Sequence, residues 1–188
     1  MNNKHWLAAY VKMHHEKKIR DLLTSMGIEH FLPVKRELHQ WSDRKKQVER
    51  VLIPMMIFVR VNNVEKMSVL SLPAVLRYMA LRGEHRPAII PDKQMDRFRF
   101  MLDHADDDVT FRMEVLNPGD KIRVIKGSLT GLEGELVTID GQSSIAVRID
   151  ALGCALVRID PAYVEVMKEL HNEQLTQKNG QLTSTMDN

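Results

Sequence analysis

The sequence predicts an α+β chain of two units: an α/β sandwich with helices flanking a mostly antiparallel sheet, then a small all-β barrel. Three observations predict it. Apolar stripes with helical spacing occur before residue 105 and not again until the tail. From 116 to 168 the text is a series of short apolar runs separated by glycines or by Asp140-Gly141, the pattern of strands and tight turns. The charge also changes sign between the two stretches. Residues 1–104 carry 19 Lys and Arg against 11 Asp and Glu, whereas residues 105–188 carry 8 against 14. Opposite charge in two halves is the mark of units with different partners.

The front unit reads in order as follows. His5 to Val11, "HWLAAYV", is short, apolar and partly aromatic, which predicts a buried strand. Ile19, Leu22, Leu23 and Met26 then lie on one helical stripe, and Gly27 stands where a left-handed cap would end that helix. Ile28 to Val34 resumes strand character. Lys35 to Arg50 is polar and basic with Ser42-Asp43 near its centre, predicting a long projecting hairpin. Val51 to Val61, "VLIPMMIFVRV", is the most apolar run and predicts a central strand, with an edge or bulge at Pro54. "NVEKMSVLSL" predicts a short helix ending before Pro73, and "AVLRYMALRG" another strand. A last helix starts at Pro91 or Asp92 and buries Met95, Phe98, Met101 and Leu102. The front unit is assigned to residues 1–105.

Asp106 to Asp108 open a composition shift, and 106–115 is read as an acidic linker. Residues 116–168 are too few to hide the edges of an open sheet, so a closed barrel is expected. Gly119, Gly127, Gly131 and Gly134 would serve its backbone geometry, with Ile122, Val124, Leu132, Leu136 and Ile139 in its core. The "GLEG" at 131–134 also matches a backbone-gripping loop of KH domains, but that loop joins two helices and strands flank this one. Residues 169–188 form a polar tail with few apolar anchors.

Composition and motifs exclude several classes. The lone cysteine, Cys154, cannot form an internal disulfide and suits a reducing compartment; its apolar neighbours make it a small core residue. The apolar run near the amino terminus is too short for a secretory signal, and none approaches the ~18 residues of a membrane span. A soluble cytoplasmic protein with no membrane partner is expected. No P-loop, paired metal-ligand spacing, CxxC or nucleophile elbow is present, so no catalytic residue, metal or cofactor is assigned.

Four stretches together resemble one family. "PGDKIRVIKGSLTGLEGELVTI" (118–139) is similar to the KOW motif of SH3-like barrels. "HWLAAYVKMHHEKKIRDLL" (5–23), "RVLIPMMIFVRV" (50–61) and "RPAIIPDKQM" (86–95) resemble, in the same order, parts of the NusG amino-terminal domain. The likeness covers residues 4–167. Where the family usually carries Phe-Pro-Gly-Tyr, this chain has Ile53-Pro54-Met55-Met56. That departure, with the wording and length, resembles the specialised antiterminators of the UpxY and RfaH type.

The resemblance implies a NusG amino-terminal sandwich followed by a KOW barrel, and a factor that acts on transcription without catalysis. It implies that Trp6, Tyr10, Ile53, Pro54, Met56, Phe58 and Ile90 form an apolar pocket for the clamp helices of the largest RNA polymerase subunit. Lys66, Met67 and Ser68 would touch the gate loop of the second-largest subunit. Lys12, His14, His15, Lys17 and Lys18, with Arg44, Lys45 and Lys46 on the hairpin, would lie along non-template or upstream DNA, where cations neutralise phosphates. The barrel would recruit a ribosomal protein or a termination factor. The implied outcome is suppressed pausing and premature termination, in a polysaccharide-biosynthesis operon for the UpxY likeness. A general NusG-like elongation factor and an RNA-binding KOW module of ribosomal type are the other readings, and the acidic balance after residue 105 speaks against the second.

Overall fold

The computed structural model describes residues 3–40, 45–113 and 116–167. In chain order the front elements are β1 (His5–Val11), α1 (Glu16–Ser25), β2 (Glu29–Phe31), β3 (Val34–Gln40), β4 (Lys45–Val51) and β5 (Met56–Val61). α2 (Asn63–Leu70), β6 (Val75–Tyr78) and α3 (Asp92–His104) complete that half. Then come β7 (Thr110–Arg112), β8 (Asp120–Val124), β9 (Glu133–Ile139), β10 (Gln142–Ile149), β11 (Gly153–Arg158) and, after a 3₁₀ turn at Pro161–Tyr163, β12 (Val164–Val166).

The front sheet has the order β2-β5-β1-β6 with every pairing antiparallel. Because successive side chains point to opposite faces, β1 and β5 are buried on both sides. Leu7, Ala9, Val11, Ile57, Val59 and Val61 face Ile19 and Leu23 of α1 and Val69 of α2. Trp6, Ala8, Met56 and Phe58 face the other way, toward Met95, Phe98 and Met101 of α3. β3 and β4 form the expected hairpin as a separate two-stranded ribbon.

Local chemistry sets the helix ends. α1 closes as the glycine predicts: Gly27 takes φ +67°, its N–H donates to Thr24 O, and Ile28 N–H donates to Leu23 O at 3.0 Å. That pair of bonds is a Schellman motif. Only Ile19 and Leu23 of the predicted stripe are buried, while Leu22 and Met26 are exposed. α2 begins with a reciprocal cap, in which Asn62 accepts the Val64 and Glu65 N–H groups and Glu65 accepts the Asn62 N–H.

Three predicted strands are shorter than the apolar text. Val51–Val61 is interrupted: Val51 ends β4, residues 52–55 turn, and β5 starts at Met56. Proline cannot donate to a ladder, so the chain turns at Pro54 instead of bulging. Ile28–Val34 likewise breaks at Leu32-Pro33 between β2 and β3. The 74–83 strand stops at Tyr78, with only a bridge between Ala80 and Pro87 beyond it.

The rear half is a six-stranded sheet, β12-β8-β9-β10-β11-β7, with antiparallel pairings throughout. β7 falls inside the stretch read as a linker, so that stretch is partly strand and pairs Thr110, Phe111 and Arg112 with β11. Ile122, Val124, Ile145, Val147, Ile149, Ala155 and Val157 belong to one continuous apolar cluster with the α3 face of the front sheet. Phe98 and Phe111 join the halves, with ring centroids 5.9 Å apart. Arg97 pairs with Glu133, Gln94 Oε1 accepts the Asp150 N–H at 2.8 Å, and Lys35 pairs with Asp108. Cys154 is buried, and that burial raises its thiol pKa, which keeps it protonated and inert.

Gly134 and Gly119 are two of the places in this sheet where glycine is required for lack of room. A Cβ at Gly134 would lie 2.6 Å from Ala146 O and 2.8 Å from Ile145 Cγ1. One at Gly119 would lie 1.9 Å from Leu136 O. Both contacts are far inside van der Waals distance, so these glycines permit close strand approach.

Candidate functional site

At one end of the front sheet three loops meet. The β1–α1 loop (12–15), the turn before β5 (52–55) and the segment before β6 (71–74) are tied by backbone bonds. Val11 N–H donates to Met55 O at 2.9 Å, and Lys12 N–H donates to Ala74 O at 2.8 Å. A β-irregularity between Tyr10 and Val11 in the pairing with β6 marks the same end.

The turn has an unusual backbone. Met55 takes φ +60° directly after Pro54. Proline followed by a left-handed residue is the central pair of a type II turn, and the second place normally goes to glycine. A side chain there costs about 1–2 kcal/mol. Glu16 holds the conformation: its Oε1 accepts the Met55 N–H at 2.8 Å, and the residue is only 5% exposed. His14, in the neighbouring loop, is also left-handed at φ +63°.

The seven residues expected to line an apolar pocket divide into two groups. Trp6 (2% exposed), Ile53 (1%), Met56 (0%), Phe58 (0%) and Ile90 (1%) are sealed in the core. The apolar stripe of α3 lies over their face of the sheet, and Ile90 bridges Trp6 through an N–H to Trp6 O bond of 2.9 Å. An open hollow lined by those five side chains is therefore absent from this arrangement. The reason is that α3 and the apolar cluster running into the rear sheet bury the same face that would line it. Pro54 is exposed and Tyr10 half-buried, so these two reach the surface. Arg77, directly opposite Tyr10 across β1 and β6, stacks its guanidinium 4.6 Å from the ring centroid.

The other assigned residues distribute as follows. Lys12, His14 and Lys18 are exposed at the start of α1. His15 makes a local bond, its Nδ1 donating to Met13 O at 3.0 Å within the same loop, and Lys17 donates to Glu49 O of β4 at 2.7 Å. Of these five cations and imidazoles, Lys17 is thus engaged in tying α1 to the hairpin. Lys45 and Lys46 begin β4, while Arg44 lies outside the described residues. On α2, Met67 (61% exposed) and Ser68 face solvent, and Lys66 is half-buried with its carbonyl accepting the Tyr78 hydroxyl at 2.9 Å. Burial raises the Tyr78 pKa, so that hydroxyl stays a donor. Gly127 and Gly131 sit in the loop between β8 and β9, apart from the front-sheet end.

Sequence reasoning missed two residues here, Glu16 and Arg77. Glu16 at the start of α1 reads as an ordinary acidic first-turn residue, and nothing in the text points to Met55 as its partner. Arg77 has no signal at all, since only the β1–β6 register brings it to Tyr10. Met55 was legible as a side chain in a glycine-like position. Among the described residues no group of three or more His, Cys, Asp and Glu could hold a metal ion, and no helix is long and apolar enough to cross a membrane.

Comparison with known proteins adds the family. No curated protein matches the chain in sequence. Among solved structures, one described as "Domain interaction in Thermotoga maritima NusG" aligns over 88% of this chain and 98% of that one, with 18% identity and a TM-score of 0.48. The MjSpt4:Spt5 complex in conformation A aligns over 87% and 99%, with 10% identity and a TM-score of 0.28. Its conformation B aligns over 87% and 97%, with 12% identity and a TM-score of 0.29. The family model described as "Transcription termination factor nusG" matches residues 4–99, which takes in the whole front sheet, the three loops of its strained end and most of α3. That match spans just over half of the chain, and on it the protein belongs to the NusG family of transcription factors.

Proposed function

We propose that this protein binds RNA polymerase through the strained end of its front sheet and suppresses pausing and premature termination by contact, without catalysis. The family match over residues 4–99 carries the reading. The surface it would use is the rim around Tyr10 and Pro54. Trp6, Ile53, Met56, Phe58 and Ile90 serve from beneath as the packed bed that holds that rim in place.

The partner would be the clamp helices of the largest subunit, a helical hairpin whose apolar side chains settle against ring and proline surfaces. Anchors of that kind dominate protein contacts. Exposed Lys12, His14 and Lys18 would face the DNA backbone, and Met67 and Ser68 on α2 would meet the gate loop. Clasping two sides of the DNA channel favours the closed, elongating polymerase, because a ligand shifts an equilibrium toward the state it binds better. The rear sheet would be the KOW barrel and would recruit a ribosomal protein or termination factor. The "IPMM" departure from the family's usual turn supports a specialised antiterminator serving a polysaccharide-biosynthesis operon, over a general elongation factor.

Binding of the purified full chain to core polymerase from its source, followed by single-round transcription, tests this. The expected result is a stable complex and fewer pauses. Tyr10→Ala, with an unchanged circular dichroism spectrum, is expected to weaken binding about tenfold, as truncation of an aromatic anchor does. Absence of a complex with the unmodified chain would overturn the proposal.

A further inference from the structure

We infer that Met55 is a specificity-determining contact residue, kept in a backbone conformation suited to glycine so that its thioether stands on the binding rim. The inference rests on the reading above and names the residue that selects the partner's surface.

The first observation is the backbone itself. A left-handed non-glycine residue is uncommon, and such outliers persist only where their surroundings over-determine them. Met55 is held on both sides: its N–H by Glu16 and its carbonyl by the Val11 N–H. A buried carboxylate is thus committed to keeping one strained turn in place.

The second observation is that the fold gains little core from the side chain. Ile53 and Met56, on either side of the Pro54-Met55 pair, are sealed in the core, whereas Met55 itself is half-exposed. Glycine would make the same turn without strain and would leave those two anchors where they are. A methionine in its place adds a flexible, polarisable surface, the kind that repacks against a partner.

The third observation is the company it keeps. Met13, 56% exposed, lies in the loop between Val11 and Glu16, the two residues that bond Met55. Left-handed His14 follows it. Exposed Met13 and Pro54 and half-exposed Met55 lie in two loops joined by the Val11 N–H to Met55 O bond, with exposed Lys12 next to Met13 in sequence and exposed Arg77 opposite Tyr10. The matching partner surface is a helix pair presenting an apolar ridge bordered by carboxylates.

The experiment compares the unmodified chain, Met55→Gly and Met55→Leu for affinity to core polymerase and for thermal midpoint. Met55→Gly is expected to hold or raise the midpoint and to weaken binding about tenfold, while Met55→Leu retains most of the affinity. If Met55→Gly binds like the unmodified chain, the inference is overturned and the proposed function stands. If Met55→Gly lowers the midpoint by several degrees, the side chain serves the fold and the inference is likewise overturned. If the unmodified chain fails to bind, the proposed function itself falls and takes the inference with it.

Discussion

Replacing Glu16 is the most direct probe of how the binding rim is held. Its carboxylate lies in the first turn of α1 and accepts the Met55 N–H at 2.8 Å from a position 5% exposed. Glu16→Ala removes a hydrogen bond to a charged acceptor, worth about 1.5–3 kcal/mol, and leaves the Met55 N–H without its partner. It also removes a negative charge from the positive end of a helix, worth about 0.3–1 kcal/mol. The expected loss is therefore about 2–4 kcal/mol. Glu16→Gln keeps an oxygen acceptor in the same place and loses only the charge, so about 0.5–1.5 kcal/mol is expected. Urea unfolding followed by far-UV circular dichroism measures both losses, and hydrogen exchange at the Met55 amide reports the bond itself. That amide should lose protection in the alanine variant and keep it in the glutamine variant. Equal losses in the two variants, or a protected amide in Glu16→Ala, would refute the assignment of Glu16 as the turn's anchor.

Two further outcomes follow from the packing and the ion pairs. Phe98 is fully buried, with ring centroids 5.6, 6.1 and 5.9 Å from Phe31, Phe58 and Phe111; Phe98→Ala should cost about 3–5 kcal/mol, and a loss below about 1 kcal/mol would mean that the ring does not join the two halves. Glu135 is half-buried, which raises its pKa, but two bonds from Arg148 at 2.7 and 2.8 Å and the Gly119 N–H at 3.1 Å outweigh burial and hold the carboxyl below its ordinary value. Its stabilisation is therefore complete above the ordinary carboxylate range and is lost as pH falls through the lowered folded value. At neutral pH Glu135→Gln should cost about 1–3 kcal/mol, and the urea midpoints of variant and unmodified chain should converge in acid; a gap that does not change with pH would sink the argument.

What could be read from the text was whatever depends on neighbours along the chain. The helix of Asp92–His104 showed itself through Met95, Phe98 and Met101, and the end of α1 through Gly27, because periodicity and capping are local. Strand lengths were less legible, since apolar content does not say where a chain must turn; Pro54 broke a run that looked continuous. The resemblance to the NusG family was also legible, because it rests on the order of short motifs.

The candidate site was readable only as a set of residue types. The resemblance to the family could group Trp6, Ile53, Met56 and Phe58 with Tyr10 and Pro54. It could not say that α3 would seal the first four while the other two reached the surface. Nor could it pair Glu16 with Met55, or Arg77 with Tyr10. Burial and long-range pairing are properties of the assembled sheet: a side chain's exposure depends on what another part of the chain lays over it, and composition and periodicity carry no record of that.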